Sequence, residues 1–558
     1  MIDRRRLLAA GTGTALTAWL PAWARSAAAA TAPAALSGEE IALTIGHASL
    51  AVDGRQGHAI AINGTVPGPL IRLKEGQRVR IAVTNALDED TSIHWHGVLT
   101  PSHMDGVPGL SFPGIRPGKT FVYDFPVIQG GTYWYHSHSG VQELVGHYAP
   151  MIIDPARPEP AAFDREHVVV LSDYSFLHPH KLVEKLKQQA GYFNRQRQTV
   201  AGLLSRKDQP LRDRLEWSRM RMDPTDILDV TGSTYAYLIN GHGPRSNWNA
   251  LFSLGERVRL RFINAGAMTI FNVRIPGLPM TVVQVDGQDV RPVETDEFQI
   301  ANAETVDVIV RPLEDRAYTV VAEAADSSGM ARATLAPRAG LTAEVPPLRR
   351  RPVLTMRDMG MDMSAHAGMD MDMSMRNPDG APGVKLGPGL QMIAPMPLDR
   401  TGDRGTGLVE AKHRVLLYSD LEALHPQPEV RTPTRTVDVH LTGNMERFMW
   451  SFDGVEYSEG AKPIPFRRDE RVRVNLINDT MMNHPIHLHG HFVELVNGKP
   501  ADRQPRKHTV NVMPGARLSF DFTANAPGDW AFHCHMLLHM HAGMFRVVTV
   551  RPLEDLPA

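Results

Sequence analysis

A turn followed by an alternating strand occurs three times in this chain, and that recurrence restricts the fold more than any other feature of its 558 residues. Ile62-Asn63-Gly64 precedes EGQRVRIAVTN, ending at Asn85. Ile239-Asn240-Gly241 precedes GERVRLRFIN, ending at Asn264. Phe452-Asp453-Gly454 precedes DERVRVNLIND, ending at Asp479. In the first copy Val79, Ile81 and Val83 face one way and Arg78, Arg80 and Ala82 the other, the period of a half-buried strand. The copies lie 179 and 214 residues apart, measured at Arg78, Arg257 and Arg471. A self-similar unit of that size is a domain repeated three times, not a solenoid repeat. Strand-like alternation and Pro/Gly turns such as VPGP (66–69) and RPGK (116–119) predict an all-β chain of sandwich domains. One interruption near 181–222, rich in Lys, Gln, Arg and Leu, predicts a helical insertion in the second domain.

Composition narrows the chemistry. Lys and Arg number 59 against 61 Asp and Glu, and this near balance excludes a nucleic-acid binder driven by charge. A single Cys excludes intrachain disulfides, thiolate zinc clusters and iron–sulfur centres, which need several thiolates. Together, 25 His, 26 Met and one thiolate suit copper.

The histidines follow strand geometry. Chance predicts about one His-x-His pair in such a chain, and the sequence has seven. Four form a coherent set: His94/His96, His136/His138, His487/His489 and His533/His535. Residues i and i+2 of a strand project from one face, so each pair can deliver two imidazoles to one cavity, and eight imidazoles suffice for several metals. The pairs His178/His180, His489/His491 and His539/His541 read as incidental. Cys534 sits between His533 and His535, so its sulfur points away from them and two metal sites must flank one short strand. Cys534, an upstream His (the candidate is His484), His539 and Met544 make the thiolate, two-imidazole and axial-thioether set of a blue copper site.

Two segments stand outside the sandwiches. Arg4, Arg5 and Arg6 precede an apolar run from Leu7 to Leu20 and an A-x-A site at Ala22-Trp23-Ala24, which reads as a twin-arginine export signal over 1–30 and a periplasmic destination. No later stretch is long and apolar enough to span a membrane. The Pro- and Gly-rich stretch 346–410 is expected to be flexible. It holds Met356, Met359, Met361, Met363, Met369, Met371, Met373 and Met375. It reads either as a plain linker or as a cuprous-ion trap, since thioethers prefer Cu(I).

HWHG (94–97), YWYHSHSG (133–140), HPIHLHG (484–490) and HCHMLLHMHAGM (533–544) resemble, in order, the four signature motifs of three-domain multicopper oxidases. The Met-rich insert, MDGVPGLSFPGI and RKHTVNVMPGARLSFDFTANAPGDWAFHCH are similar to the periplasmic copper-resistance protein A branch. The resemblance implies three cupredoxin-like Greek-key sandwiches, at 38–160, 165–345 and 411–558, and four copper ions. By motif it assigns His484, Cys534, His539 and Met544 to a type 1 copper and His94 and His487 to a type 2 copper. His96, His136, His138, His489, His533 and His535 would hold a type 3 pair. AGAMTIFNVRI follows Asn264 with no His, so the second domain reads as a ligand-free spacer, and the cluster is expected between the first and third domains.

The implied activity is oxidation of Cu(I), or of a small organic reductant such as a phenol, coupled to reduction of O2 to water, in the service of copper tolerance. A periplasmic copper carrier is an implied partner. The alternative is a copper-sequestering protein with incidental oxidase activity. Asp105, nine residues after His96 in an MDG turn, reads either as a proton relay or as a turn-former before Gly. Some family members carry an acid just before the second type 1 His, where this chain has Leu538, which puts a second proton route in doubt.

Overall fold

A computed structural model describes residues 35–361, 375 and 377–552. The expected signal segment, Met363, Met369, Met371 and Met373 lie outside the described residues. The strands form six sheets in three successive pairs. The first pair is built from Leu36–Ser37 to Tyr148–Asp154, the second from Arg165–Ser175 to Met330–Ala336, and the third from Arg435–Asn444 to Phe545–Arg551. In the first pair, Ile41, Leu43, Val79, Ile81 and Phe125 of one sheet share a core with Ile71, Tyr133, Tyr135 and Met151 of the other.

Each repeat copy is built the same way. The turn residues Asn63, Asn240 and Asp453 have φ of 50°, 51° and 52°, and the glycines after them 79°, 76° and 73°. Positive φ at both central positions is the hairpin turn that Asn-Gly and Asp-Gly favour. The strand that follows, Arg78–Asn85, Val258–Asn264 or Arg471–Asn478, pairs in parallel with the first long strand of its sandwich and antiparallel with a later one.

The asparagine ending each strand is fully buried and pins the loop beyond it. Asn85 Nδ2 donates to Glu89 O and Ile115 O at 2.8 and 2.7 Å, and its Oδ1 accepts from Leu87 N at 2.8 Å. Asn264 does the same with Thr269 O, Ile300 O and Gly266 N. Asn478 does so with Met482 O, Val512 O and Thr480 N. In the first and third sandwiches the pinned loop leads to the strands His94–His96 and His484–Leu488. One corner device therefore sets where the histidine strands begin.

The repeat arginines have different fates. Arg78 and Arg80 are exposed, whereas Arg259 and Arg261 of the second copy are 1% exposed. They meet Asp307 at 2.8 and 3.0 Å, Arg261 reaches Glu166 at 2.8 Å, and Thr132 of the first sandwich donates to Asp307 at 2.8 Å. Fully paired burial of this kind is tolerable; removal of one partner is not.

The helical insertion consists of Pro179–Gln188, Val200–Leu204 and Leu211–Met220. The segment 346–410 differs from the flexible link expected of it. Its described part contains no strand, yet Leu354, Met359, Leu390, Met392 and Leu408 are buried, and Met356, Met361 and Met375 pack against the same core. These apolar residues have no regular period, so the stretch reads as linker although these described residues are packed.

Asn264→Ala would leave two carbonyls and one amide unpaired in a buried corner. It should cost about 2 kcal/mol or more, read as a lowered urea midpoint. A loss below about 0.5 kcal/mol would show that the corner is not held by this side chain.

Candidate metal centres

The four paired motifs converge because of strand parity. In His94–His96 and Gly131–His136, Trp95, Tyr133 and Tyr135 enter the first core, leaving His94, His96 and His136 on the other face. In the third sandwich the register pairs Ile486 with Cys534 and His487 with His533. Ile486, Leu488 and Cys534 share the third core, so His487 and His533 face away from it. Both outward faces meet. His94 and His489 rings lie 3.9 Å apart, His96 and His487 rings 3.9 Å, and His96 and His535 rings 4.9 Å. His138 Nε2 and His489 Nε2 approach His533 Nε2 at 3.3 and 3.0 Å. All eight imidazoles of the four pairs are thus in one cluster between the first and third sandwiches.

The outer ring nitrogens are anchored. His94 Nδ1 lies 2.8 Å from Asp105 O, His487 Nδ1 2.6 Å from His508 O, and His533 Nδ1 3.0 Å from Cys534 O. His136 Nδ1 lies 3.0 Å from Ser137 O, with a Glu143 carboxylate oxygen 2.8 Å away, and His489 Nδ1 lies 2.8 Å from Asp105 Oδ2. The opposite nitrogens, His94 Nε2, His96 Nδ1, His136 Nε2 and His487 Nε2, are buried without a hydrogen-bond partner, as are both nitrogens of His535. Burial, reinforced by neighbouring imidazoles, holds His96, His136, His487, His489 and His535 well below the usual imidazole range. Neutral, unpartnered imidazole nitrogens aimed into one space fit metal ions.

Asp105 is not a surface turn. It is 1% exposed, and its carboxylate spans His489 Nδ1 and His94 Nδ1, the latter at 3.3 Å. Gly106 (φ 88°) makes this possible, since a Cβ there would lie 1.8 Å from Ile93 O.

On the inner side of the same strand, Cys534 Sγ lies 3.5 Å from His484 Nδ1 and 3.7 Å from His539 Nδ1, which are 3.3 Å from each other. A triangle with those edges has its centre about 2 Å from each corner, a metal–imidazole bond length. His484 Nε2 lies 2.8 Å from Thr480 Oγ1 and His539 Nε2 2.6 Å from Asp229 Oδ2, leaving each Nδ1 for the centre. Met544 is fully buried, and its carbonyl accepts from Cys534 N at 3.2 Å. Burial pushes the Cys534 thiol up, so a cation is needed to draw off its proton. Trp450 stacks on His539 at 3.9 Å.

Models of the multicopper oxidase domains match residues 44–158, 207–340 and 430–554. Copper resistance protein A of Escherichia coli is 46% identical over 601 aligned positions, covering 98% of this chain and 99% of that one. The chain belongs to the multicopper oxidases. The multicopper oxidase MmcO of Mycobacterium tuberculosis is 30% identical over 87% of this chain and 82% of its own. Among solved structures, the multicopper oxidase Fet3p aligns with a TM-score of 0.65 at 20% identity, covering 93% of this chain and 91% of that one. The laccase of Botrytis aclada aligns at 0.63 and 22%, covering 93% and 88%. The fold is therefore three cupredoxin-like sandwiches, and copper is the cofactor of this oxidoreductase.

Against that family frame, several residues at the sites were not apparent from sequence. His508 is buried, with Nδ1 3.2 Å from His96 Nε2 and its carbonyl on His487. Asp286 of the second sandwich accepts from the backbone of His508 and Thr509 at 3.2 and 3.3 Å and pairs with Lys507 Nζ at 2.9 Å. Asp229 holds His539. Met268 Sδ accepts from Leu538 N at 3.3 Å, and Ala267 O from Leu537 N at 2.9 Å. The second sandwich is thus more than a spacer. It supplies no cysteine or histidine to either cluster, but it braces both.

In the copper-free protein burial holds His508 and His533 down to about 4. An unfolded imidazole titrates near 6.5, so between the two values only the unfolded chain takes up these protons. Stability present above about pH 6.5 should therefore fall as pH drops toward 4. Urea midpoints of the apoprotein across that range should show this, with a shallower decline in His508→Gln; equal declines would contradict it.

Proposed function

We propose that this multicopper oxidase is a periplasmic cuprous oxidase of copper tolerance, exported by the twin-arginine route and holding four coppers. The observation that carries the reading is the two-sided strand. Cys534 completes a buried Cys-His-His triangle on one face, and its neighbours join the eight-imidazole cluster on the other. His484, Cys534, His539 and Met544 would hold the type 1 ion, and His94 and His487 the type 2 ion. His96, His136, His138, His489, His533 and His535 would hold the type 3 pair. When bound, copper supplies one-electron acceptance at the type 1 position and four-electron reduction of O2 to water at the cluster.

The chain's own residues do the rest. Cys534 is one peptide from His533 and one from His535, which joins the two sites covalently. His539 is stacked on Trp450 and held by Asp229 of the second sandwich, and we take it as the point of electron entry. Asp105 can pass protons to the cluster, since its carboxylate contacts two of the rings and is shielded from bulk water. Cu(I) as donor is supported by the 46% identity to copper resistance protein A and by the thioethers of the Met-rich segment.

O2 uptake with a cuprous donor tests the reading directly. Catalytic consumption is expected, and it should disappear in Cys534→Ser while copper still binds the cluster. Uptake little faster than the donor's own reaction with O2, and unchanged in Cys534→Ser, would favour a copper-sequestering protein with incidental oxidase activity.

Asp105→Asn keeps the shape but cannot exchange a proton at neutral pH. It should slow reoxidation by O2 more than reduction by donor, as stopped-flow half-reactions would show; equal effects would return Asp105 to a structural role. Deletion of 362–374 keeps the packed Met356, Met359, Met361 and Met375. It should lower the rate with Cu(I) and leave a bulky organic donor unaffected or faster. Equal losses with both donors would make the segment a plain linker.

A further inference from the structure

Two histidines outside both clusters meet on the first sandwich. The strands Glu40–Val52 and Arg55–Ile62 are antiparallel, with Ser49 opposite His58 and His47 opposite Ile60. His47 and His58 are therefore diagonal neighbours on one face. Their rings are 5.1 Å apart, and His47 Nδ1 lies 3.0 Å from His58 Nε2. The other His47 nitrogen, Nε2, lies 3.1 Å from Asp88 Oδ1. A carboxylate at Nε2 takes the ring proton there and leaves Nδ1 as a lone pair aimed at its partner. This is the carboxylate–imidazole arrangement that orients metal ligands, here on an open surface, with the His47 side chain 47% exposed. Tyr174, on the strand Arg165–Ser175 of the second sandwich, donates to His58 O at 2.7 Å. Partial burial, then the nearby His47 and His178, hold His58 below the usual imidazole range.

We propose that His47 and His58 form a surface site for Cu(II), with Asp88 fixing His47. Two nitrogens 3.0 Å apart can both lie about 2.0 Å from one metal ion, so the pair is spaced to chelate. Cu(II) exceeds Zn(II) in intrinsic affinity for imidazole. No redox step is involved: the site takes up Cu(II) as such, the oxidation state in which a cuprous oxidase would release its product. It stands whether or not Cu(I) proves to be the electron donor, since its test uses Cu(II) alone.

Copper-loaded, dialysed protein would be titrated with Cu(II) and followed by calorimetry and EPR. One additional Cu(II) with a tetragonal, nitrogen-ligated spectrum is expected. His47→Gln and His58→Gln should each weaken that step at least tenfold, and Asp88→Asn about tenfold. His425→Gln, which removes an exposed imidazole elsewhere, should leave it unchanged. All four variants should keep the parent's visible spectrum and oxidase rate. Unchanged uptake in both His47→Gln and His58→Gln would reduce the pair to a shared-proton hydrogen bond. Displacement by equimolar Zn(II) would overturn the assignment to Cu(II).

Discussion

The register of two strands carries the rest of this molecule. With Ile486 opposite Cys534 and His487 opposite His533, alternation sends the thiolate into the third sandwich and the flanking imidazoles out of it. A slip of one residue would exchange the faces and dismantle both sites at once. The buried Asn478 at the loop before His484 holds that register, and Asn85 holds its counterpart before His94. Bringing the two outward faces together then needs the first and third sandwiches in contact. The second sandwich supplies part of that bracing through Asp286, Met268 and Asp229.

The cost of this arrangement is a concentration of buried polar groups. Burial holds the imidazoles of His96, His136, His138, His487, His489, His533 and His535 below their usual range, so these rings stay neutral in a dry interface. Each anchored ring nitrogen orients its partner nitrogen inward, so the cavity is lined with lone pairs before any ion arrives. The same logic governs Arg259, Arg261 and Asp307 at the neighbouring interface, where every buried charge has an opposite within 3 Å. At that interface charge pairing serves stability, whereas in the histidine cluster the nitrogens left unpartnered are what make it ready for metal.

What was legible in the sequence was local. Period-two alternation and the i, i+2 spacing of His94/His96 or His533/His535 carry their geometry in the chain itself, so the sandwiches and the convergence of four pairs could be read directly. The Asn-Gly turns and the missing His after Asn264 were equally local. Asp229, Asp286 and His508 were not legible, because each acts across a large sequence separation and no spacing advertises it. Residues 346–410 misled for the opposite reason: Met359 and Leu408 are buried, but nothing periodic around them signals packing.

The central claim is that one strand serves two copper sites of different kinds, one inside the third sandwich and one between the first and third. The copper count, visible spectrum and EPR spectrum of the loaded protein test it together. The account predicts four coppers: one with intense thiolate absorbance, one ordinary EPR-active ion, and a spin-coupled pair silent in EPR. A loaded protein without the thiolate band, or with every copper EPR-active and uncoupled, would contradict it.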